Sequence, residues 1–272
     1  MGQTWMLKGH IAIFAICACA VPVCAQLTEQ ASIAYEGVGL APRLGDQIPL
    51  DLAFVNSTGE QVQLRDYFNR GRPVVLTFVY HTCPMLCSVL LDGVTRSLED
   101  VPWAPGDAYE MITVSFSPED TPERAAEQRA RYLRRIDHED AEWRFLTGSE
   151  SSITALTDAT GFMFKWVEDQ NEYAHPAAVI VLSETGIITR YLPDLVPRGR
   201  DLRAAIVEAS NGTVGNLLDR AFLYCFQFDP TSNSYVLAAR RAMQVGGGIT
   251  ALVLIAALSL LWLRDTKKSA HA

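Results

Sequence analysis

The chain is short of positive charge, with 23 Lys and Arg against 31 Asp and Glu in 272 residues. That balance argues against a nucleic-acid partner and is compatible with a partner that carries basic patches. Cysteine is also scarce. Cys17, Cys19 and Cys24 fall in the first 25 residues, so the body of the chain keeps only Cys83, Cys87 and Cys225. An odd number of that size does not make a disulfide scaffold. There is no internal repeat and no low-complexity tract, which excludes a solenoid or a repeat array.

Long apolar runs occur only near the two ends. Lys8 precedes an apolar stretch from Ile11 to Val21, and Val23-Cys24-Ala25 places small residues before a cut at Gln26. This is the pattern of a secretory signal peptide over residues 1–25, with an apolar core too short to span a bilayer comfortably. An uncleaved anchor is the alternative; a lipoprotein cut at Cys19 fits poorly, because Ile16-Cys17-Ala18 is a weak lipobox. The second run, Ile249 to Leu263, follows Gly246-Gly247-Gly248, and Arg264, Lys267 and Lys268 come directly after it. We expect a transmembrane helix over 246–263 and a cytoplasmic tail over 264–272, with the main domain on the outer, periplasmic face of a bacterial inner membrane. A buried core helix is the alternative, but the run lacks a polar face. Residues 26–45 form a lead-in segment, 46–210 the main domain and 211–245 a membrane-proximal connector.

Within the main domain, Leu50–Val55 and Gln61–Leu64 bracket Asn56-Ser57-Thr58-Gly59, a hairpin signal. Val74 to Tyr80 is a continuous apolar run that fits a strand buried on both faces. Pro84 falls at the first helical position, where its missing N–H costs nothing, and the helix carries Cys87, Leu90, Leu91 and Val94 towards a sheet. Tyr109 to Phe116 is a second central strand. Thr121-Pro122-Glu123 starts a helix that runs to about Arg135. Trp143 to Leu146 is a short strand, Ser149 caps a helix ending near Gly161, and Phe162 to Val167 is extended. Ala177–Leu182 and Gly186–Tyr191 make a second hairpin, and Asp201–Ala209 a closing helix. The order β-α-β-α-β-β-α predicts an α/β, thioredoxin-like mixed sheet with flanking helices.

The chemistry gathers at Tyr80-His81-Thr82-Cys83-Pro84-Met85-Leu86-Cys87 and at His175. Cysteines four apart across a strand-to-helix turn stack both sulfurs on one helical face, and the helix start lowers their pKa values. Two thiols and an imidazole form a soft ligand set suited to Cu(I), with Cu(II) also accessible. His175 lies in Ala174-His175-Pro176, just before a predicted strand, and Pro176 is a candidate cis-proline.

These motifs, together with Val114-Ser115-Phe116-Ser117-Pro118-Glu119-Asp120-Thr121-Pro122, resemble the SCO/SenC family over roughly residues 43–210. The resemblance implies that Cys83, Cys87 and His175 bind copper. It also implies a role in assembling the binuclear copper (CuA) centre of cytochrome c oxidase subunit II, or of another copper-receiving oxidase subunit. Three features depart from the common family pattern: Ser117 and Met85 stand where Asp is frequent, and the expected anchor is C-terminal.

His81 is an alternative ligand or a loop histidine with a local hydrogen bond, and Met85 a thioether or a gap-filler. Asp120 either orders the loop or caps a helix. Glu168, Asp169 and Glu172 could dock a basic partner or simply be solvated. Cys225 is a third thiol for metal hand-off, a disulfide partner, or a buried, inert cysteine. The alternative to a metallochaperone is a membrane-anchored thiol–disulfide oxidoreductase in which Cys83 attacks and Cys87 resolves. A sensor is a weaker reading because the tail is too short for an output domain. A peroxidase is weaker still, with no second motif for peroxide.

Overall fold

The computed structural model describes residues 37–83, 86–136, 141–214, 226–229 and 234–237, with Gly247, Thr250 and Val253. The expected signal peptide, spanning helix and cytoplasmic tail lie outside these residues, apart from those last three positions. Pro84, Met85 and Cys225 also lie outside them. Among the described residues, no helix is long and apolar enough to cross a membrane. Within the expected lead-in, β1 (Gly39–Leu40) pairs with Phe162–Met163, and Leu44 is buried.

The first hairpin forms where turn chemistry demands it. The Asn56 side-chain carbonyl accepts the N–H groups of Thr58 and Glu60 at 2.9 and 3.0 Å, closing the turn between β2 (Ala53–Asn56) and β3 (Gln61–Gln63). β4 (Val74–Val79) is buried at every position, as its unbroken apolar run requires. α1 (Leu86–Leu98) follows and buries Cys87, Leu90, Leu91, Val94 and Leu98. β5 (Glu110–Ser115) is likewise fully buried.

α2 (Pro122–Leu133) begins at an N-cap Thr121, whose hydroxyl accepts the Arg124 N–H. β6 (Trp143–Gly148) leads to α3 (Glu150–Thr160), capped by Ser149 at its start and by Gly161 at its end. Gly161 adopts φ +66°, and a Cβ there would sit 1.8 Å from the Ala41 carbonyl oxygen, so both the backbone and the space require glycine. Two short strands, β7 (Phe162–Met163) and β8 (Lys165–Val167), precede β9 (Glu172–Ala174), which pairs with β8. β10 (Val179–Leu182) and β11 (Ile188–Leu192) form the second expected hairpin, α4 (Gly199–Ser210) closes the domain, and β12 (Phe226–Asp229) pairs with β13 (Ser234–Leu237).

The main sheet has seven strands in the order β11-β10-β4-β5-β6-β2-β3. β4, β5 and β6 run parallel, while β10, β11, β2 and β3 join antiparallel. Successive right-handed crossovers that step the same way place α1 and α2 on one face. Tyr132 of α2 meets Trp143 and Phe145 there, with ring centroids 5.7 and 6.4 Å apart. Gly148 faces the other way by strand alternation. A Cβ on it would meet Phe54 and Ile153 of α3, so helices cover both faces as expected. This is a mixed α/β, thioredoxin-like fold.

Several polar groups inside the core are paired. At the leading edge of β5, the fully buried Glu110 receives Arg72 at 2.7 Å and Arg70 at 3.5 Å. Between strands, Thr77 and Thr113 share a 2.7 Å hydrogen bond, and the Trp143 indole donates to Thr113 at 2.8 Å. The Glu110 pair lies at the start of the parallel strands. Their other end carries the cysteines.

Candidate metal centre

Beyond β4 the chain turns at Tyr80, where the N–H of Cys83 donates to the Tyr80 carbonyl at 3.2 Å. The N–H of Cys87, in the first turn of α1, has no acceptor inside the helix. It donates to Cys83 Sγ at 3.2 Å, so Cys83 serves α1 much as a capping side chain does. Cys87 Sγ accepts the Tyr80 N–H at 3.3 Å and lies 3.8 Å from His175 Nε2. Burial, with the neighbouring Cys83, pushes the Tyr80 phenol well above its ordinary range.

This corrects one expectation. Cys83 is not itself helical, so the sulfurs meet through an N–H···S bond rather than by helical stacking. A second correction concerns acidity. Burial pushes the Cys87 thiol well above its ordinary range, aided by the neighbouring Cys83, and the Tyr80 N–H only partly offsets this. Cys87 stands at a helix start but inside the core, where the desolvation of an anion outweighs the helix's partial charge.

His175 follows β9, in a separate two-stranded sheet, yet reaches the cysteines because the segment before β10 crosses the end of β4. It is 2% exposed, its ring packed against Phe116 at 4.9 Å and edge-on to Tyr80 at 5.7 Å. Its Nδ1 lies 2.9 Å from the Pro176 carbonyl. A carbonyl only accepts, so Nδ1 carries the proton and Nε2 keeps its lone pair towards the sulfurs. The His175–Pro176 bond is trans; Pro176 contributes through its carbonyl.

The ligand atoms of Cys83, Cys87 and His175 all lie within 4.8 Å of one another. Ligands that share an ion at about 2.0–2.3 Å each are at most about 4.6 Å apart, so the cluster closes with a shift of tenths of an ångström. Cys83 is half-buried, whereas Cys87 and His175 are buried. The set has one exposed side.

His81 does not join it. Strand alternation turns its ring the opposite way from Tyr80, to within 6.3 Å of Phe145. Both ring nitrogens are buried without a partner, and burial pushes the imidazole pKa down. The local hydrogen bond comes from its backbone: His81 N–H donates to Asp120 Oδ2 at 2.7 Å. Asp120 also accepts the Ser115 hydroxyl at 2.5 Å. Asp120 therefore ties the loop leading to Cys83 onto the end of β5, while Thr121 does the capping. Ser117 is buried, and its N–H donates to Ser115 Oγ at 3.2 Å. Glu168 and Asp169 are exposed beside the β8–β9 hairpin, with Glu172 half-buried on β9.

Sequence reasoning missed Tyr80, Ser115 and the Pro176 carbonyl. Each acts through a contact of the folded chain, although the alternation of β4 and β5 already points Tyr80 and Phe116 to one face.

The sequence model of SCO1/SenC matches residues 42–209, more than half of the chain. The chain belongs to the SCO1/SenC family. No curated protein matches the sequence. Among solved structures, this SCO1/SenC chain is similar to a protein from Aquifex aeolicus VF5 described as an electron transfer protein. That match has a TM-score of 0.56 and 25% identity, covering 63% of this chain and 96% of the other. ScoI of Arabidopsis thaliana with copper bound matches at TM-score 0.49 and 16% identity, covering 59% and 96%. Yeast Sco1 with copper bound matches at TM-score 0.47 and 18% identity, covering 66% and 94%.

Proposed function

We propose that this protein is a copper metallochaperone that holds Cu(I), and also Cu(II), between Cys83, Cys87 and His175. It passes the ion to an oxidase subunit during assembly of a CuA centre. The observation that carries this reading is the convergence of two sulfurs and an imidazole nitrogen within 4.8 Å. Membership in SCO1/SenC and the softness of the donors support it. Cys83 is the half-exposed ligand, so an incoming thiol of the acceptor reaches the ion there. Release then proceeds by exchange, with Cys83 leaving first and the buried Cys87 and His175 following. An apolar C-terminal run would hold the domain on the outer face of the inner membrane, where such an acceptor stands.

The test is Cu(I) stoichiometry and affinity of the reduced protein beside His175→Ala. We expect one tight copper per chain, markedly weakened in the variant. Copper bound equally well without His175, or not bound at all, overturns the reading. The pairing of a half-exposed Cys83 with a buried Cys87 supports the second reading, a thiol–disulfide oxidoreductase that reduces partner cysteines before metallation.

A further inference from the structure

The β8–β9 hairpin stands outside the main sheet and runs directly into His175. Its register sets Trp166 opposite Tyr173, and the two rings meet edge-on at 4.9 Å. Tyr173 in turn meets Tyr80 at 5.3 Å and Phe116 at 5.5 Å, the two rings that pack on His175. An unbroken line of ring contacts therefore joins Trp166 to the ligand set.

Trp166 lies at the wet end of that line. It is 38% exposed, and the other exposed large apolar side chains of the described residues are valines and Met163. The contact with Tyr173 supports the hairpin as a cross-strand aromatic pair, yet leaves much of the indole in water. An exposed tryptophan of this kind anchors protein interfaces, where it fills a pocket on the partner and sheds its water. The turn beyond it carries Glu168 and Asp169, both exposed, and then Glu172, half-buried. Among the described residues, none of these three carboxylates is in an ion pair. Lys165 is the one cation on either strand. The surroundings of the indole are thus acidic, which repels an acidic partner and steers a basic one.

We propose that the Trp166 face of the β8–β9 hairpin is the docking surface for the copper-receiving protein. The matching face of that partner presents lysine or arginine side chains around an apolar seat for the indole. The proposal rests on reading Cys83, Cys87 and His175 as the copper site. A partner held on Trp166 stands beside His175 and beside the Tyr80 turn that carries the half-exposed Cys83, where its thiols meet the ion.

The test is calorimetric binding of the metal-free full chain to the soluble copper-binding domain of an oxidase subunit II, at low and high salt. Wild type is compared with Trp166→Ala and with the double variant Glu168→Gln/Asp169→Asn, whose changes fall in an exposed turn. We expect wild-type binding to weaken as salt rises. Trp166→Ala should bind at least about tenfold more weakly at either salt, and the double variant should lose most of the salt dependence. No binding by the wild type, or equal binding by all three proteins, overturns the proposal. Cu(I) affinity, read separately by chelator competition, should be the same in all three. A matching loss of Cu(I) affinity in Trp166→Ala would make the indole a prop for His175 and also overturn it. Docking is read without copper, so a chain that bound no copper would sink the copper reading and leave the docking result decided on its own.

Discussion

Replacing Asp120 with alanine should loosen the metal centre from a distance. The Asp120 carboxylate is almost wholly buried and accepts the His81 N–H at 2.7 Å and the Ser115 hydroxyl at 2.5 Å. Hydrogen bonds to a charged group contribute about 1.5–3 kcal/mol each. Ser115 keeps other partners, since it lies 3.5 Å from the Ser117 carbonyl and accepts the Ser117 N–H, so part of its loss is recovered. The His81 N–H has no such alternative and is left unsatisfied. We expect Asp120→Ala to cost about 3 kcal/mol, and Asp120→Asn, which retains one acceptor oxygen, about half that. For a domain of this size, about 3 kcal/mol lowers the thermal midpoint by roughly 6–12 °C. The loop freed by the change leads straight to Cys83, so Cu(I) affinity should fall about tenfold, or about 1.4 kcal/mol. Thermal unfolding of the reduced, metal-free protein and competition for Cu(I) against a chromophoric chelator measure the two effects. A stability loss below about 1 kcal/mol would refute the count of charge-assisted bonds. The full stability loss with unchanged copper affinity would refute the link between Asp120 and the site.

Oxidation of Cys83 and Cys87 to a disulfide should bring copper stoichiometry close to zero, and copper that persists after complete oxidation would place the metal elsewhere. Glu110→Gln breaks the ion pair between the fully buried Glu110 and the partly exposed Arg72 and should cost about 1.5–3 kcal/mol in denaturant unfolding. Copper binding by the folded fraction should be unchanged, because Glu110 sits at the far end of the strands; a neutral substitution would show the pair to be slack. Burial pushes the Tyr191 phenol up to about 12, and its hydroxyl donates to the Thr160 carbonyl at 2.8 Å. A raised folded-state pKa contributes stability that is present in full below the ordinary phenol value near 10 and fades as pH rises towards 12. The stability gap between wild type and Tyr191→Phe should therefore be constant below pH 10 and shrink above it, and a gap that widens there would contradict the burial argument.

Much of the architecture is legible because its determinants are local. The unbroken apolar run at β4, the Asn56 turn, the Thr121 and Ser149 caps and the glycine that ends α3 each act within a few residues, and each element forms where expected. The lead-in is different. Gly39–Leu40 finds its partner at Phe162–Met163, a pairing that depends on how the chain packs across a long separation.

The ligand types at Cys83, Cys87 and His175 were likewise readable from residue chemistry, since two thiols and an imidazole define a soft donor set wherever they meet. That they do meet was decided by the fold: β10 pairs with β4 and so brings His175 to Cys87 across 88 positions. The fold also turned His81 away while admitting Tyr80, because neighbouring residues of an extended chain face opposite sides. It made Cys87 a buried thiol despite its place at a helix start, because desolvation depends on what surrounds a group rather than on its position along the chain. Sequence alone therefore determined which groups could bind metal. Only the tertiary structure decided which of them face one another, and how wet each one is.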